Sequence, residues 1–170
     1  PILLDIFPDA QILHIVRDGR DVACSYLELS QQHFESPYAP KLPADIESIA
    51  TEWAATVSGA LDFEACLPAG VMMRIRYEQL VLETEAVLQS VCSFLGERFD
   101  AAMLEYYSRN KSEELEPREL MPWKLKTLTR PNARQVGRYI KDMTPRQLRS
   151  FEEHAGNVLS RCGYNIDKRL

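Results

Sequence analysis

The run Arg17-Asp18-Gly19-Arg20-Asp21, followed by Ser25, concentrates the residues of this chain best suited to chemistry. Residues 11–17 are apolar and β-branched and follow Pro8, which predicts a short buried strand that the chain reaches almost directly. Arg17 then ends that strand at its carboxyl edge, where open α/β sheets bind ligands. A guanidinium there offers a planar fork to phosphate oxygens. Asp18 and Gly19 break the strand, and residues 19–32 read as a helix with Val22, Tyr26 and Leu29 on one face. Asp18 can cap that helix, and Asp21 in its first turn favours the helix dipole. Ser25 lies on the same helix, where its hydroxyl can donate to the oxygens Arg17 would hold. A second arrangement uses the same residues: Arg17 pairs with Asp18 or Asp21 in a purely structural cluster. Spacing leaves both open.

The elements that must position this run can be read onward. Residues 33–43 hold three prolines and read as an extended loop. Residues 44–66 carry an apolar stripe of Ile46, Ile49, Trp53, Val57 and Leu61, a second helix ended by Pro68 and Gly70. Residues 71–76 read as a second strand, 83–95 as a helix closed by Gly96, and 98–108 as a further short helix. Residues 109–135 show no period and contain Pro117, Pro122 and Pro131. That segment carries seven Lys or Arg against four Glu, and loops of this length are often functional. Residues 144–162 close the chain as a helix, with Thr144, Pro145 and Gln147 forming its start and Gly163 its end. The order implies an α/β fold with a right-handed crossover between parallel strands. A parallel sheet normally has more than two strands. The expectation is therefore one domain over residues 1–170, partial at its N-terminal side, whose first strand leaves an exposed apolar edge that favours dimerisation.

Composition narrows the function classes. The chain has 170 residues, 45 % hydrophobic and 26 % charged, which suits a packed domain. A net charge of −5 argues against a general nucleic-acid binder. No apolar run approaches the roughly 20 residues of a membrane span, and no signal-peptide pattern opens the sequence. The four cysteines lack a CxxC spacing, so neither a zinc cage nor a dithiol redox site is expected. Cys24 and Cys92 read as buried free thiols. The simplest compartment is the reducing cytosol. Of the histidines, His14 reads as a sheet residue, His154 as surface, and His33 as the one that could face an acceptor. No Ser-His-acid or Cys-His arrangement has supporting context.

The stretch IFPDAQILHIVRDGRDVACSYL (residues 6–27) resembles the 3′-phosphate-binding motif of sulfotransferases that use 3′-phosphoadenosine 5′-phosphosulfate (PAPS). The resemblance continues through RIRYEQLVLETEAVLQSVCSFLG (74–96) and TRPNARQVGRYIKDMTPRQLRSFEEHAGNVLSRCGY (129–164), the latter similar to tyrosylprotein and related bacterial sulfotransferases. Three motifs in the family's order cover nearly the whole chain. The resemblance implies a nucleotide-kinase-like (P-loop-type) three-layer α/β sandwich around a parallel sheet, incomplete at the N-terminus, with a helix-rich C-terminal half. It implies that Arg17 and Ser25 bind the 3′-phosphate and that Tyr77 lies near the same end of the nucleotide, or else packs as a strand-end tyrosine. Arg130 is the best residue of the basic loop to close over the nucleotide, with Lys124 and Lys126 behind it. Trp53 is expected in the core rather than as a shelf for adenine.

PAPS is thus the implied co-substrate, with no metal. The partner is an acceptor hydroxyl or amine on a carbohydrate, a peptide tyrosine or a small molecule. The family's Gly/Ser/Thr-rich loop for the 5′-phosphosulfate has no counterpart here, and no G-x-x-x-x-G-K-[ST] pattern occurs. The family's Glu or His base is likewise unmatched, so no residue of this chain is assigned as catalytic. In a eukaryotic source the Golgi lumen replaces the cytosol as the expected compartment. The competing reading is a non-catalytic remnant that binds 3′-phosphoadenosine 5′-phosphate (PAP), or a protein-interaction module. A third is a kinase-like nucleotide module, which would show no preference for a 3′-phosphate.

Overall fold

The computed structural model describes residues 2–32, 37–112 and 122–166. Among them, two strands form a parallel sheet, β1 (Ile12–Val16) and β2 (Met72–Arg76), with Ile12 opposite Met72 and Val16 opposite Arg76. A short helix, α1 (Ile2–Ile6), precedes β1. The crossover between the strands holds two helices, α2 (Gly19–Ser30) and α3 (Ile46–Ala65). After β2 come α4 (Tyr77–Leu82), α5 (Thr84–Leu95) and α6 (Tyr106–Ser112), then α7 (Tyr139–Asp142) and α8 (Pro145–Arg161). Short 3-10 turns occupy Ala101–Glu105, Pro122–Leu128 and Ala133–Gln135.

The core lies where α3 packs on α8. The apolar stripe of α3 buries Ile49, Trp53, Val57 and Leu61 against Phe151, Ala155, Val158 and Leu159 of α8. The Trp53 and Phe151 rings meet at 6.0 Å with a 53° tilt. Trp53 is therefore a core residue, as its place on the stripe predicts. Val16, at the end of β1, and Ala23, on α2, join the same cluster. The start of α8 is fastened by a reciprocal cap: Thr144 Oγ accepts from the Gln147 amide, and the Gln147 side chain accepts from the Thr144 amide. Gly96 ends α5 at φ 74°, where the Glu97 amide donates back to the Cys92 carbonyl at 2.8 Å.

Gly19 is the point at which core and sheet edge meet. A Cβ there would lie 2.5 Å from Trp53 Cδ2 and 2.7 Å from Phe151 Cζ. Only glycine lets α2 start directly beneath this ring pair.

Several expectations need correction. The N-terminal residues do not run directly into the strand, because α1 stands before it. Helix α4 springs straight from β2, so Tyr77 opens a helix rather than ending a strand, and Glu83 (φ −128°) separates α4 from α5. The helix read over 98–108 is a 3-10 turn followed by α6, which continues to Ser112. Residues 122–128 and 133–135, read as loop, form 3-10 turns. Each of these pieces is too short for a 3.6-residue period to register, and a 3-10 turn repeats every three residues. His33 lies outside the described residues.

Leu13 and Ile15 of β1 are 40 % and 53 % exposed, and among the described residues β1 pairs only with β2. Two positions apart on the strand, these side chains present an apolar patch on one face of the sheet.

Gly19→Ala should lower stability by roughly 1–3 kcal/mol, the usual cost of overpacking a filled core, measured by urea denaturation. Cys24, Cys92 and Cys162 are buried and Cys66 is exposed, and burial pushes the Cys24 thiol up to about 11. A thiol reagent at mildly alkaline pH should therefore modify native protein at Cys66 first, and Cys66→Ser should remove that fast phase.

Candidate functional site

Four charges within five residues must find partners at the turn from β1 into α2. Arg20 takes the most. Its Nε and Nη2 donate to the two Asp18 oxygens at 3.0 and 2.7 Å, and its Nη1 donates to Glu152 Oε1 at 2.7 Å and the Asn165 carbonyl at 3.0 Å. Its guanidinium lies 4.1 Å from the centre of the Tyr139 ring. Burial opposes the Arg20 charge, but Asp18, Tyr139 and Glu152 together outweigh it and hold the pKa above the ordinary arginine value. Asp18 also caps α2 by accepting from the Arg20 amide at 2.9 Å.

The backbone of the turn is held from the opposite side by Glu78, on α4. One Glu78 oxygen accepts from the Asp18 amide at 2.9 Å, and the other accepts from the Tyr164 hydroxyl at 2.9 Å. Burial and the Glu78 charge raise the Tyr164 hydroxyl pKa, so the phenol stays a donor. Asp21 faces elsewhere. Its buried carboxylate accepts from the Gly137 amide at 2.7 Å and the Tyr139 amide at 3.0 Å. Burial raises the Asp21 pKa, and those two amides counteract the rise.

Arg17 is left over. Among the described residues no carboxylate lies within ion-pair distance of it. Its Nη2 donates to the Gln135 carbonyl at 2.9 Å and its Nη1 to Ser25 Oγ at 3.3 Å. The guanidinium lies 4.7 Å from the centre of the Tyr77 ring, and its buried Nε has no partner among the described residues. Of the two arrangements the sequence leaves open for Arg17, the structural cluster forms around Arg20 instead. Among the described residues Arg17 makes no ion pair at the carboxyl end of β1, although the nearby Asp21 carboxylate feels its charge.

Tyr77 and Gln135 also line a cavity of about 500 Å³, walled by Leu80, Val81, Met103 and Tyr106. Arg130 stands on its lining, exposed, with Nε donating to the Tyr107 hydroxyl at 2.7 Å. That bond holds the Arg130 pKa up. Two further ties fix the segment to α6: Tyr106 Oη donates to the Thr129 carbonyl at 3.3 Å and Asn110 Nδ2 to the Thr127 carbonyl at 3.1 Å. Lys126 lines the cavity as well; Lys124 does not.

The fold thus gathers the four sequence-derived residues: Arg17 touches both Ser25 and Tyr77, and Arg130 shares the cavity with Tyr77. Two histidines lie apart from it. His14 sits within β1, where burial lowers its pKa against the pull of Glu64. His154 is exposed on α8, bonded to the Ser150 carbonyl. Sequence reading missed Gln135 and Glu78 as parts of this site, and saw Asp21 as a helix-dipole residue or an ion-pair partner of Arg17, not as an acceptor for distant backbone amides. Glu78 had a signal, since it follows Tyr77 in the second motif. Gln135 had none, because its contribution to Arg17 is a backbone carbonyl. Among the described residues no cluster of three or more metal-ligating side chains occurs, and no helix is long and apolar enough to cross a membrane.

A family profile described as Sulfotransferase family matches residues 1–101. Comparison with curated protein sequences returned no match. Among solved structures, the sulfotransferase domain from the curacin biosynthetic pathway superposes with a TM-score of 0.64 at 18 % identity, covering 93 % of this chain and 55 % of that one. The sulfotransferase domain from the Synechococcus PCC 7002 olefin synthase gives 0.63 at 21 % identity, covering 92 % and 50 %. Mouse sulfotransferase SULT7A1, complexed with PAP, gives 0.61 at 19 % identity, covering 95 % and 64 %. The chain therefore spans half to just under two-thirds of the length of these structures. The likeness shows the fold: an α/β arrangement on a parallel sheet with a helix-rich second half.

The two arginines should separate in mutagenesis. Arg20→Ala leaves buried acids unpaired and should cost roughly 3–5 kcal/mol, whereas Arg17→Ala should cost about 1 kcal/mol. Chemical denaturation of both variants checks this.

Proposed function

This chain belongs to the sulfotransferase family, and we propose that it forms the part of a PAPS-dependent enzyme that holds the 3′-phosphate end of the donor nucleotide. The observation carrying this reading is the state of Arg17. Every acid in its motif is engaged elsewhere, and its guanidinium is held in one plane by Tyr77, Gln135 and Ser25. A fixed guanidinium with no ion-pair partner among the described residues suits a phosphate dianion, because charge-assisted bonds are stronger than neutral ones and little side-chain freedom remains to be lost.

In this reading Arg17 and Ser25 contact the 3′-phosphate, and Tyr77 keeps the arginine in place. Arg130 approaches the nucleotide from the lining of the cavity, whose apolar residues Leu80, Val81 and Met103 suit a flat base. The SULT7A1 structure, which holds PAP, supports the assignment by its fold. Residues 1–170 act as one domain, and the whole enzyme would move a sulfuryl group to an acceptor hydroxyl or amine. The acceptor atom attacks sulfur in line, the bond from sulfur to the 5′-phosphate oxygen breaks, and a base takes the acceptor proton. Arg17 touches none of the reacting atoms. Its part is to anchor the distant end of the donor, so that binding energy is turned into alignment.

Calorimetry with PAP and ADP tests the proposal, since both carry two phosphate groups and differ in where the second sits. PAP should bind at least about tenfold tighter, a difference of about 1.4 kcal/mol. Added salt should weaken PAP binding, and Arg17→Ala should bring PAP to the affinity of ADP. Equal affinities in the unmodified protein would sink the proposal.

A further inference from the structure

Asp21 is 0 % exposed, yet no cation lies within ion-pair distance of it among the described residues. An isolated buried carboxylate is costly, so the groups that face it show what it is there to hold. Those groups are two backbone amides from a segment more than a hundred residues away. Oδ2 accepts from Gly137 at 2.7 Å and Oδ1 from Tyr139 at 3.0 Å. Gly137 has φ 70°, a left-handed conformation that favours glycine. Asp21 also sits in the first turn of α2, where the helix dipole favours a negative charge.

The segment held in this way is the one that touches Arg17. The Gln135 carbonyl, which accepts from Arg17 Nη2, lies two residues before Gly137. Arg138, between the two clasped amides, donates to Glu28 at 2.8 Å, to Asp142 at 2.6 Å and to the Gln135 side chain at 3.2 Å. Tyr139 presents its ring to Arg20. Residues 135–139 are therefore tied to α2 and its approach at three levels: by Arg17 just before the helix, by Asp21 within its first turn, and by Glu28 near its end.

We infer that Asp21 is a positioning residue, a two-oxygen clasp that fixes the Gln135 carbonyl and so the plane in which Arg17 presents its guanidinium to the 3′-phosphate. The inference rests on the reading of Arg17 proposed above. It requires a carboxylate specifically, because each oxygen takes one amide. Asparagine keeps a single acceptor oxygen and would turn its own N–H groups toward the second amide. The segment would loosen at that end, and Arg17 would lose its fixed partner without losing its charge.

Asp21→Asn tests this in the full 170-residue chain, with calorimetry at a temperature where circular dichroism shows both proteins folded. PAP should bind about tenfold more weakly, and ADP, which has no 3′-phosphate, within about twofold of the unmodified protein. An unchanged PAP-to-ADP ratio in the folded variant overturns the inference. So does an equal loss for both ligands, which would assign Asp21 to the fold alone. If the variant does not fold, hydrogen exchange at the Gly137 and Tyr139 amides of the unmodified protein decides. Exchange should slow more with PAP than with ADP, and equal exchange overturns the inference. Failure of the underlying reading shows separately, as no preference for PAP in the unmodified protein, and the inference falls with it.

Discussion

A buried charge must be answered, and at the β1–α2 turn four charges are answered in a way that leaves one over. Asp18 is spent on Arg20 and on the helix cap, and Asp21 on backbone amides. Glu152 and Glu78 arrive from α8 and α4 to complete the network. What remains is a guanidinium with hydrogen bonds to neutral oxygens and no counterion among the described residues. The two arginines of one short motif thus diverge completely: one joins the framework and the other stays available to an anion. The divergence follows from geometry, since Arg17 follows the last residue of the strand while Arg20 lies in the first turn of the helix and points back into the fold.

The same turn is coupled to the core. Helix α2 begins under the Trp53–Phe151 pair, with Gly19 admitting the rings at contact distance. Helix α8 supplies both Phe151 to that pair and Glu152 to Arg20, from adjacent positions on one helix. Packing of α3 on α8 and placement of the charged network are therefore linked through two neighbouring residues of one helix. Tyr164, just past α8, extends the coupling by donating to Glu78, which holds the Asp18 amide. The site stands on a rigid base because the residues that fill the core are neighbours of those that satisfy the charges.

Much of this was legible in the sequence for a physical reason. Long amphipathic helices and β-branched runs repeat with a period, and the repeat betrays both the element and its buried face. Trp53 on the α3 stripe, the Thr144–Gln147 cap and the two strands all carried such signals. Arg17 and Ser25 carried a weaker signal, since their types and spacing left an anion site and a structural cluster both open, and the resemblance to sulfotransferases rested on three motifs in order. Short elements carried no comparable signal. α1, α4, α7 and the 3-10 turns are held by what they pack against, and their residues repeat too few times to show a period.

Local order and residue type belong to the chain itself: the strand, the helix after it, the glycine between them, and an arginine and serine eight positions apart. Which arginine would be neutralised was not decided at that level. That choice depended on Glu78, Glu152, Gln135 and the amides of Gly137 and Tyr139. Their pairings with the turn span from 60 positions, for Glu78 with Asp18, to 132, for Glu152 with Arg20. Partners so distant leave no trace in spacing. Only the folded chain brings them to the turn, and burial then makes their hydrogen bonds strong enough to decide the outcome.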